Sequence, residues 1–495
     1  MKFINGSPQA KLAVIGTMLA FAMLSSISGC TTGPESPLGK VLRVVGSGES
    51  LPPEAAREFK RFDTVYRSYA EAPDPAKLDY FKFAYKQLRT SYVRPVSDVK
   101  LIDAAIKGIE GSKSKPGSMT PDAVVESALD AMTASLDPHT AYLNSEEFRE
   151  SFVHTKGEFG GLGIEVTMEE GFVKVVSPIE DTPAERIGLK SGDLITHVDD
   201  EAVKGKTLRE AVRLMRGAPG TKIALRVRRK GVDDFDVSLT RAVIKVRAVK
   251  WRLEGRIGYI RVSRFSEKLE GGIVKAVAAL HAELGEEPDG FVIDLRNNPG
   301  GLLNQSIILA DTFLNEGEIV SIRGRNPRKN RSFDAESGDL ANGKPIVVLI
   351  NGGAASASEI VASALKVHRR ATVMGTRSFG KGSVQTILPL PVDGALKLTT
   401  ALYYGPDGRT IQALGVDPDI KIEPEKTVEL RKESDLPGAI AAKNDAAGKA
   451  EPSVPISACR EVGERKDREL GCALDFLESG SQKKFLAEHA GRQQM

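Results

Sequence analysis

The sequence has few of the residues that build metal centres and histidine-based active sites. Its 495 residues include three cysteines and six histidines, and no cluster of them has the spacing of metal ligands. The His-Glu-x-x-His pattern, which places two histidines and a general base around zinc, is also missing. These absences exclude the common zinc sites, and we expect a protein that needs neither a metal nor a cofactor.

An excess of charge of one sign is also absent. The chain has 69 Lys and Arg residues against 66 Asp and Glu residues, a formal net charge of +3. A nucleic-acid-binding protein usually carries a basic patch or stripe, and the sequence has none, so we expect no nucleic-acid partner. The composition is ordinary for a globular protein. The chain is longer than a single hydrophobic core usually supports, which predicts two or three folded units with tails.

No apolar run is long enough to span a bilayer comfortably. A positive start followed by the mostly apolar residues 12–23 predicts a signal peptide over residues 1–29. The small residues before Cys30 resemble the cleavage box of bacterial lipoproteins, which implies that Cys30 becomes the lipidated first residue and anchors the chain to a membrane. Thr31 indicates outer-membrane sorting, and hence a periplasmic protein. An ordinary secretory signal with an incidental cysteine is the alternative.

Composition divides the rest of the chain into several segments. Residues 30–72 are rich in Gly, Pro, Ser and charge and predict a tether. Apolar residues at helical spacing predict an N-terminal helical region over residues 73–156. Residues 425–495 are charged and alanine-rich, which predicts a flexible extension or a docking appendage. Cys459 and Cys472 lie in this tail, and export to an oxidising compartment favours a disulfide between them.

Residues 157–242 carry a glycine-rich turn and a set of short strands. The stretch Gly-Leu-Gly-Ile and a later Pro-Ala-Glu-Arg-Ile-Gly-Leu-Lys-Ser-Gly-Asp resemble a PDZ domain. Consecutive backbone N–H groups in such a turn can bind a terminal carboxylate, and the strand edge beside them can pair with an extended peptide. We therefore interpret Leu162, Gly163 and Ile164 as peptide-binding residues. A glycine hairpin without a ligand is the alternative.

From residue 243 to residue 424, predicted strands alternate with predicted helices. Buried strands are predicted at 257–262, 290–295 and 345–350, each followed by a helix. This alternation indicates an α/β (α+β) core with helices packed on a sheet. The polar segment 325–343 is expected to be an exposed loop. A β-hairpin is expected around the turn at Asp393 and Gly394.

Ser356 and Lys381 are the strongest candidates for catalysis. Ser356 lies between a buried strand and a helix, where a sharp turn exposes a hydroxyl as in a nucleophile elbow. A serine hydroxyl is a poor nucleophile until a base removes its proton. A lysine in a glycine loop can be that base when burial disfavours its charged form. A solvated surface lysine is the alternative for Lys381.

The helix that follows Ser356 offers unpaired N–H groups to a developing oxyanion. The N–H of Ala357 is one candidate donor. A second donor is expected from Gly300 or Gly301, at the end of another predicted strand, because backbone approaches a substrate closely only where side chains are absent. The residues alone do not decide between the two glycines.

Several neighbouring residues compete with this interpretation. Ser358 is a good N-cap and Ser363 lies within the helix, so both are expected to be structural. His139, in a Leu-Asp-Pro-His-Thr turn, is also more typical of a structural histidine than of a catalytic one. Residues 375–381 fit the start of a phosphate-binding loop, but Gly382 replaces its usual Ser or Thr magnesium ligand.

These motifs together resemble the C-terminal processing peptidases, also called tail-specific proteases. The resemblance runs from about residue 75 to residue 424, with the PDZ-like unit inserted in the expected place. It departs from the family at Ala354 and Ala355, where glycine or serine is common. The motifs that carry it are Leu136-Asp-Pro-His, Asp294-Leu-Arg-Asn-Asn-Pro-Gly-Gly, Ser356-Ala-Ser-Glu-Ile, Phe379-Gly-Lys-Gly-Ser-Val-Gln and Gly405-Pro-Asp-Gly-Arg.

The resemblance implies a catalytic triad of Ser356, Lys381 and Gln385, with Gln385 orienting the lysine. It also implies a protease core of the ClpP/crotonase-like type. We therefore expect a serine endopeptidase that degrades or processes envelope proteins with accessible C-termini, which the PDZ unit captures. The alternatives are an inert PDZ lipoprotein scaffold and a structural envelope lipoprotein. The sequence leaves open whether the chain forms a homo-oligomer or works with an adaptor protein.

Overall fold

A computed structural model describes residues 50–156, 158–179, 182–245, 247–425, 431–442, 451–464 and 466–490. The chain divides into two units, Met1–Ser50 and Leu51–Met495, and the elements named below belong to the second unit. The predicted signal peptide and Cys30 lie outside the described residues. Of the helices in the described ranges, none combines the length and the apolar character needed to cross a membrane.

Four helices build the N-terminal region, and a short strand and a fifth helix follow them. They are α1 (Pro53–Tyr69), α2 (Pro75–Ser91), α3 (Asp98–Gly111), α4 (Pro121–Ala134), β1 (Ala141–Leu143) and α5 (Ser145–Lys156). The first helix contradicts the prediction of a tether over residues 30–72. Phe62 and Tyr66 of α1 are fully buried, and the ring of Phe62 stacks on Phe81. The charged residues of α1, most of which face solvent, hid this apolar stripe.

The predicted PDZ-like unit is mostly antiparallel sheet. A six-stranded sheet has the order β3-β4-β5-β7-β8 with β6 beside β5, and β2 pairs with β9. The strands are β2 (Glu158–Gly161), β3 (Ile164–Glu169), β4 (Phe172–Pro178), β5 (Leu194–Val198), β6 (Glu201–Ala202), β7 (Lys222–Arg229), β8 (Val232–Thr240) and β9 (Ala242–Lys245). Two helices accompany them, α6 (Pro183–Arg186) and α7 (Leu208–Met215). Their apolar side chains form a separate small core.

The central element is a seven-stranded, mainly parallel sheet of order β10-β11-β12-β15-β16-β19-β20. Its strands are β10 (Val249–Glu254), β11 (Ile257–Val262), β12 (Gly290–Asp294), β15 (Ile346–Ile350), β16 (Thr372–Gly375), β19 (Ile420–Glu423) and β20 (Ser453–Pro455). The connecting helices are α8 (Leu269–Leu284), α9 (Leu303–Asp311) and α10 (Ala357–Val367). The predicted alternation of strands and helices is therefore confirmed. Side chains from all three helices and one face of the sheet share one core.

A second sheet connects the N-terminal helices to this core. It contains β1, β13 (Glu318–Gly324), β14 (Arg331–Asp334), β17 (Ser383–Pro389) and β18 (Ala395–Tyr404). The predicted hairpin is confirmed as β17 and β18. The prediction of a loop over 325–343 missed β14, an edge strand whose side chains are mostly exposed and polar. Leu390, Leu396 and Leu398 of the hairpin region pack among the N-terminal helices.

The tail after residue 425 is a docked part of the fold wherever the structure describes it. It holds short 3₁₀ turns at Glu433–Asp435 and Ile456–Ala458, then α11 (Arg468–Ser479) and α12 (Gln482–Ala490). A disulfide joins Cys459 to Cys472, the pairing that export to an oxidising compartment favours. The tail residues pack on the second face of the central sheet. A parallel sheet needs cover on both faces, so the tail completes the core and is no flexible extension over these residues.

Phe485→Ala is expected to lower the free energy of unfolding by about 3 kcal/mol, because the Phe485 ring is fully buried in the tail's contact with the sheet. Denaturant unfolding of the whole chain measures this loss. Lys484→Ala, at an exposed position one residue earlier, is the matched control and should change stability little. Equal unfolding midpoints for the two variants would show that the tail is detached.

Candidate active site

Ser356 lies at the turn between β15 and α10, as predicted. Its backbone has φ 55° and ψ −111°, a positive-φ conformation that non-glycine residues rarely adopt and that costs about 1–3 kcal/mol. Such strain persists only where the surroundings enforce it, and it clusters at functional sites. The residue is 9% exposed. The turn therefore holds a serine near the surface of an otherwise buried segment.

Ser358, two residues after Ser356, does not lie at the N-cap position where it was predicted. Helix α10 begins at Ala357, so Ser356 occupies the N-cap position and Ser358 lies inside the first turn. The prediction that Ser358 caps the helix is therefore wrong. The Ser358 hydroxyl donates to the carbonyl oxygen of Asn298 at 2.9 Å and is fully buried. This hydrogen bond ties α10 to the glycine loop after β12.

Glu359 connects two segments. One is the serine turn, residues 351–356 between β15 and α10, and the other is the lysine loop, residues 376–382 between β16 and β17. The backbone N–H groups of Ser356 and Lys381 donate to the same oxygen, Oε2 of Glu359, at 2.7 and 2.9 Å. The other oxygen accepts from the Ser378 hydroxyl at 2.5 Å and from the Gly380 N–H at 2.6 Å. One carboxylate thus brings together two segments that are 25 positions apart in sequence. The structure therefore brings the backbones of Ser356 and Lys381 to the same carboxylate oxygen.

Sequence reasoning missed this role of Glu359. The available signal was a glutamate three residues after an N-cap serine, where its side chain can reach back to the N-cap N–H. Glu359 is fully buried. Burial raises its pKa to about 7, against the opposite effect of the hydrogen bonds from Ser378, Ser356, Gly380 and Lys381.

Lys381 is half-buried, and its surroundings favour the neutral amine. Burial, followed by the charge of Lys397, lowers the pKa of Lys381 to about 8, while the carboxyl groups of Glu433, Asp137 and Glu359 act in the opposite direction. Among the described residues, Nζ of Lys381 has no hydrogen-bond or ion-pair partner. A lysine with a pKa near the working pH can accept a proton from a hydroxyl.

Gln385 lies on β17 and is not bonded to Lys381. Its Nε2 donates to the hydroxyl oxygens of Ser383 at 2.9 Å and Thr399 at 3.3 Å. The Thr399 hydroxyl in turn donates to Asp137 at 3.1 Å. The described residues contain no direct hydrogen bond between the Gln385 side chain and the Lys381 amine, so the predicted orienting contact stays a prediction.

The glycine loop after β12 lies against the serine turn. Gly300 has φ +96°, and a Cβ on it would lie 2.9 Å from both the Ala357 nitrogen and the Ser356 Cβ. The Gly300 N–H already donates to Oδ1 of Asn298 at 2.9 Å. Within the described ranges, the N–H groups of Gly301 and Ala357 have no acceptor. The absence of a side chain at Gly300 thus lets the loop approach Ser356 and the start of α10 closely.

His139 is part of a buried network beside the lysine loop. Its Nε2 lies 2.8 Å from Oε2 of Glu433, and Glu433 also accepts from Nε2 of Gln412 at 2.9 Å. The backbone N–H of Glu433 donates to the carbonyl of Phe379, next to the lysine loop. These contacts agree with the structural interpretation of His139. Glu433 lies in the tail, where no sequence pattern indicated a contact with the site.

The proposed peptide-binding turn lies between β2 and β3. Gly163 has φ +82°, and a Cβ on it would lie 2.2 Å from the Thr182 Cβ. The Gly163 carbonyl accepts from the Ile179 N–H at 2.8 Å and from the Thr182 hydroxyl at 3.1 Å. The N–H groups of Leu162 and Gly163 have no acceptor in the part of the chain that is described. With respect to the described residues, the turn therefore has two donors without acceptors, next to the first residue of β3, Ile164.

One group of potential metal ligands occurs in the described residues outside this site. It consists of Cys459, Asp475 and His489. The Cys459 sulfur is bonded to Cys472 and cannot supply the thiolate that a metal requires. His489 instead interacts with Asp475 and with the carbonyl of Phe485. The arrangement is accounted for by the packing of α11 and α12.

Comparison with known proteins gives matches to the α/β core and to the PDZ-like unit. The model of the family "Peptidase family S41" matches residues 256–422, and that of the "PDZ domain" matches residues 174–229. A carboxy-terminal-processing protease of Bartonella bacilliformis is 49% identical over 378 residues, which cover 74% of this chain and 82% of the relative. The carboxy-terminal processing protease CtpA of Bacillus subtilis is 34% identical, covering 70% and 69%.

Among solved structures, a photosystem II D1 C-terminal processing protease is 28% identical, with a TM-score of 0.45, and the match covers 69% of this chain and 92% of that one. The identity to the curated relatives, over most of their length and most of this chain, is the observation that assigns the family. This chain belongs to the carboxy-terminal-processing proteases of peptidase family S41 and is a serine protease with a PDZ domain.

Proposed function

We propose that the protein is a lipid-anchored endopeptidase of the bacterial envelope that uses Ser356 as nucleophile and Lys381 as general base. The observation that carries this proposal is the shared bond of the Ser356 and Lys381 backbones to one oxygen of Glu359. The lowered pKa of Lys381 supports it further, because the neutral amine is the form that accepts a proton. Envelope location and the anchor rest on the predicted signal peptide and on Cys30.

In this mechanism, the neutral Lys381 amine removes the proton of the Ser356 hydroxyl, whose oxygen attacks the scissile carbonyl. The N–H of Ala357 and that of Gly301 stabilise the oxyanion, since the Gly300 N–H is engaged by Asn298. The protonated lysine returns the proton to the leaving amine, and an acyl-enzyme forms. Water then attacks the acyl group, with Lys381 again as base. Gln385 orients the lysine during this cycle.

The PDZ unit in this proposal binds the C-terminus of the substrate through the turn at Leu162, Gly163 and Ile164. The open N–H donors of Leu162 and Gly163 support this role, because a terminal carboxylate needs several converging donors. We also propose that the core is of the ClpP/crotonase-like type, supported by its parallel strands and crossover helices. An inert PDZ scaffold is disfavoured, because it would need neither a strained serine nor a lysine of lowered pKa.

The wild-type protein is expected to cleave an unstructured polypeptide faster as the pH rises through about 8. Below that pH Lys381 is protonated and cannot act as base, whereas above it the amine is free. Initial cleavage rates at constant ionic strength between pH 6 and pH 9.5 measure this rise. A rate that falls steadily above neutral pH would contradict lysine as base, and absence of cleavage at every pH would contradict the proposed activity.

Lys397→Met provides a matched variant for this profile. The charge of Lys397 lowers the pKa of Lys381, so its removal should move the midpoint of the pH profile upward. The maximal rate should change less than the midpoint. A midpoint that does not move would show that another group controls the observed titration.

A further inference from the structure

Two carboxylates of the tail, Asp467 and Glu469, bind Arg296 at the beginning of the glycine loop in the candidate active site. Arg296 is the first residue of this loop, which spans residues 296–301, and it is only 9% exposed. Its Nη1 donates to Asp467 at 3.0 Å and to Glu469 at 2.6 Å, and its Nη2 donates to Asp467 at 2.7 Å. Nη2 and Nε also donate to Asp294 at 2.7 and 3.0 Å. Three carboxylates therefore surround one guanidinium group.

Asp294 alone cannot replace the two carboxylates of the tail. It is buried and already accepts hydrogen bonds from Tyr259 at 2.8 Å and from Arg261 at 2.7 Å. Without Asp467 and Glu469, Nη1 of Arg296 would lose both of its acceptors. A buried cation that loses its partners is strongly destabilising, because the remaining charge is uncompensated. The side chain of Arg296 would then have to move toward solvent.

A displacement of the Arg296 backbone would also displace the rest of the loop, which contacts the turn that carries Ser356. The next residue, Asn297, has φ 55°, and its N–H donates to Oδ1 of Asn351 at 2.8 Å. Asn298 is fully buried, holds the Gly300 N–H, and accepts from the Ala355 N–H at 3.0 Å. The loop of residues 296–301 is therefore hydrogen-bonded to the segment that carries Ser356 through Asn297 and Asn298.

We propose that Asp467 and Glu469 are positioning residues for the reaction, which hold the loop of residues 296–301 against Ser356 through Arg296. The disulfide between Cys459 and Cys472 fixes the start of α11, where both carboxylates lie, to the preceding 3₁₀ turn. Both residues lie outside the segment that matches the S41 family model, 256–422. The tail thus contributes to the site as well as covering the sheet. This inference rests on the proposed function.

The test uses the full chain with Asp467→Asn and Glu469→Gln combined, which removes both charges and keeps the side-chain volumes. We expect kcat to fall about tenfold or more, because a displaced loop misplaces the groups around Ser356, with KM changed less than about twofold. Hydrogen exchange at the hydrogen-bonded amides of Asn297, Asn298 and Gly300 should become faster. Glu478→Gln is the matched control, since it removes a carboxylate of α11 that pairs with Arg460 and does not contact Arg296. It should leave kcat unchanged.

A second variant, Cys459→Ser combined with Cys472→Ser, should lower kcat in the same direction. The rates are expressed per folded molecule, from the amplitude of thermal unfolding, so that partial unfolding does not imitate the effect. Unchanged kcat and unchanged exchange at Asn297, Asn298 and Gly300 in the Asp467 and Glu469 variant would overturn the inference while the wild type remains active. Lack of cleavage by the wild type itself would instead contradict the proposed function.

Discussion

Ser356→Ala and Lys381→Met are each expected to reduce peptide cleavage by a factor on the order of 10⁴ or more, with the fold preserved. The alanine lacks the attacking oxygen, and the methionine fills the space of the lysine stem without a proton acceptor. Neither change disturbs the backbone bonds from Ser356 and Lys381 to Glu359. Rates of cleavage of an unstructured polypeptide, with the midpoint of thermal unfolding measured in parallel, test both variants.

Two further variants show which role each residue has. Lys381→Arg keeps the positive charge but cannot lose its proton near neutral pH, so it should be as inactive as the methionine variant if lysine is the base. Ser363→Ala removes a competing serine within α10 and should keep activity. Full activity in Ser356→Ala would move the nucleophile elsewhere. Activity in Lys381→Arg would restrict the lysine to an electrostatic role.

The elements that the sequence predicts well are those whose signal is local. The strand at Ile257–Val262 has the predicted bounds, because a short run rich in β-branched and aromatic residues between turn residues indicates a strand. The position of Ser356 between a strand and a helix was predictable for the same reason. The resemblance of the motifs supplied what local patterns could not, namely the expectation that Gln385 completes a triad with Ser356 and Lys381.

The features that sequence reasoning missed depend on contacts between distant segments. Nothing in the neighbourhood of Glu433 indicates that it meets His139, almost 300 positions earlier. The tail looked like a flexible extension because its helices are charged on the solvent side, although they bury Leu474 and Phe485 against the sheet. Glu359 looked like part of a helix start, and only the fold shows that its carboxylate also binds the lysine loop.

Glu359→Gln is expected to lower cleavage at least about a hundredfold and also to reduce stability. Both carboxylate oxygens accept two hydrogen bonds each, all from N–H or hydroxyl donors. A glutamine of the same shape directs an NH₂ group at one of these pairs of donors. An unsatisfied buried donor costs about 1–3 kcal/mol, and the loops can relieve it only by separating. Separation moves Lys381 away from Ser356, which is where the catalytic loss arises.

A substitution at a second buried carboxylate, far from the lysine loop in sequence, is the control that distinguishes this catalytic loss from a general loss of stability. Glu58 of α1 is 5% exposed and accepts from Arg61 at 2.7 Å, so Glu58→Gln should lower the unfolding midpoint and leave kcat per folded molecule unchanged. Glu359→Gln should lower both, and Glu359→Asp, which keeps the charge on a shorter side chain, should also be impaired because it cannot reach both loops. Normal kcat in Glu359→Gln, measured per folded molecule, would show that the serine turn and the lysine loop keep their relation without this carboxylate.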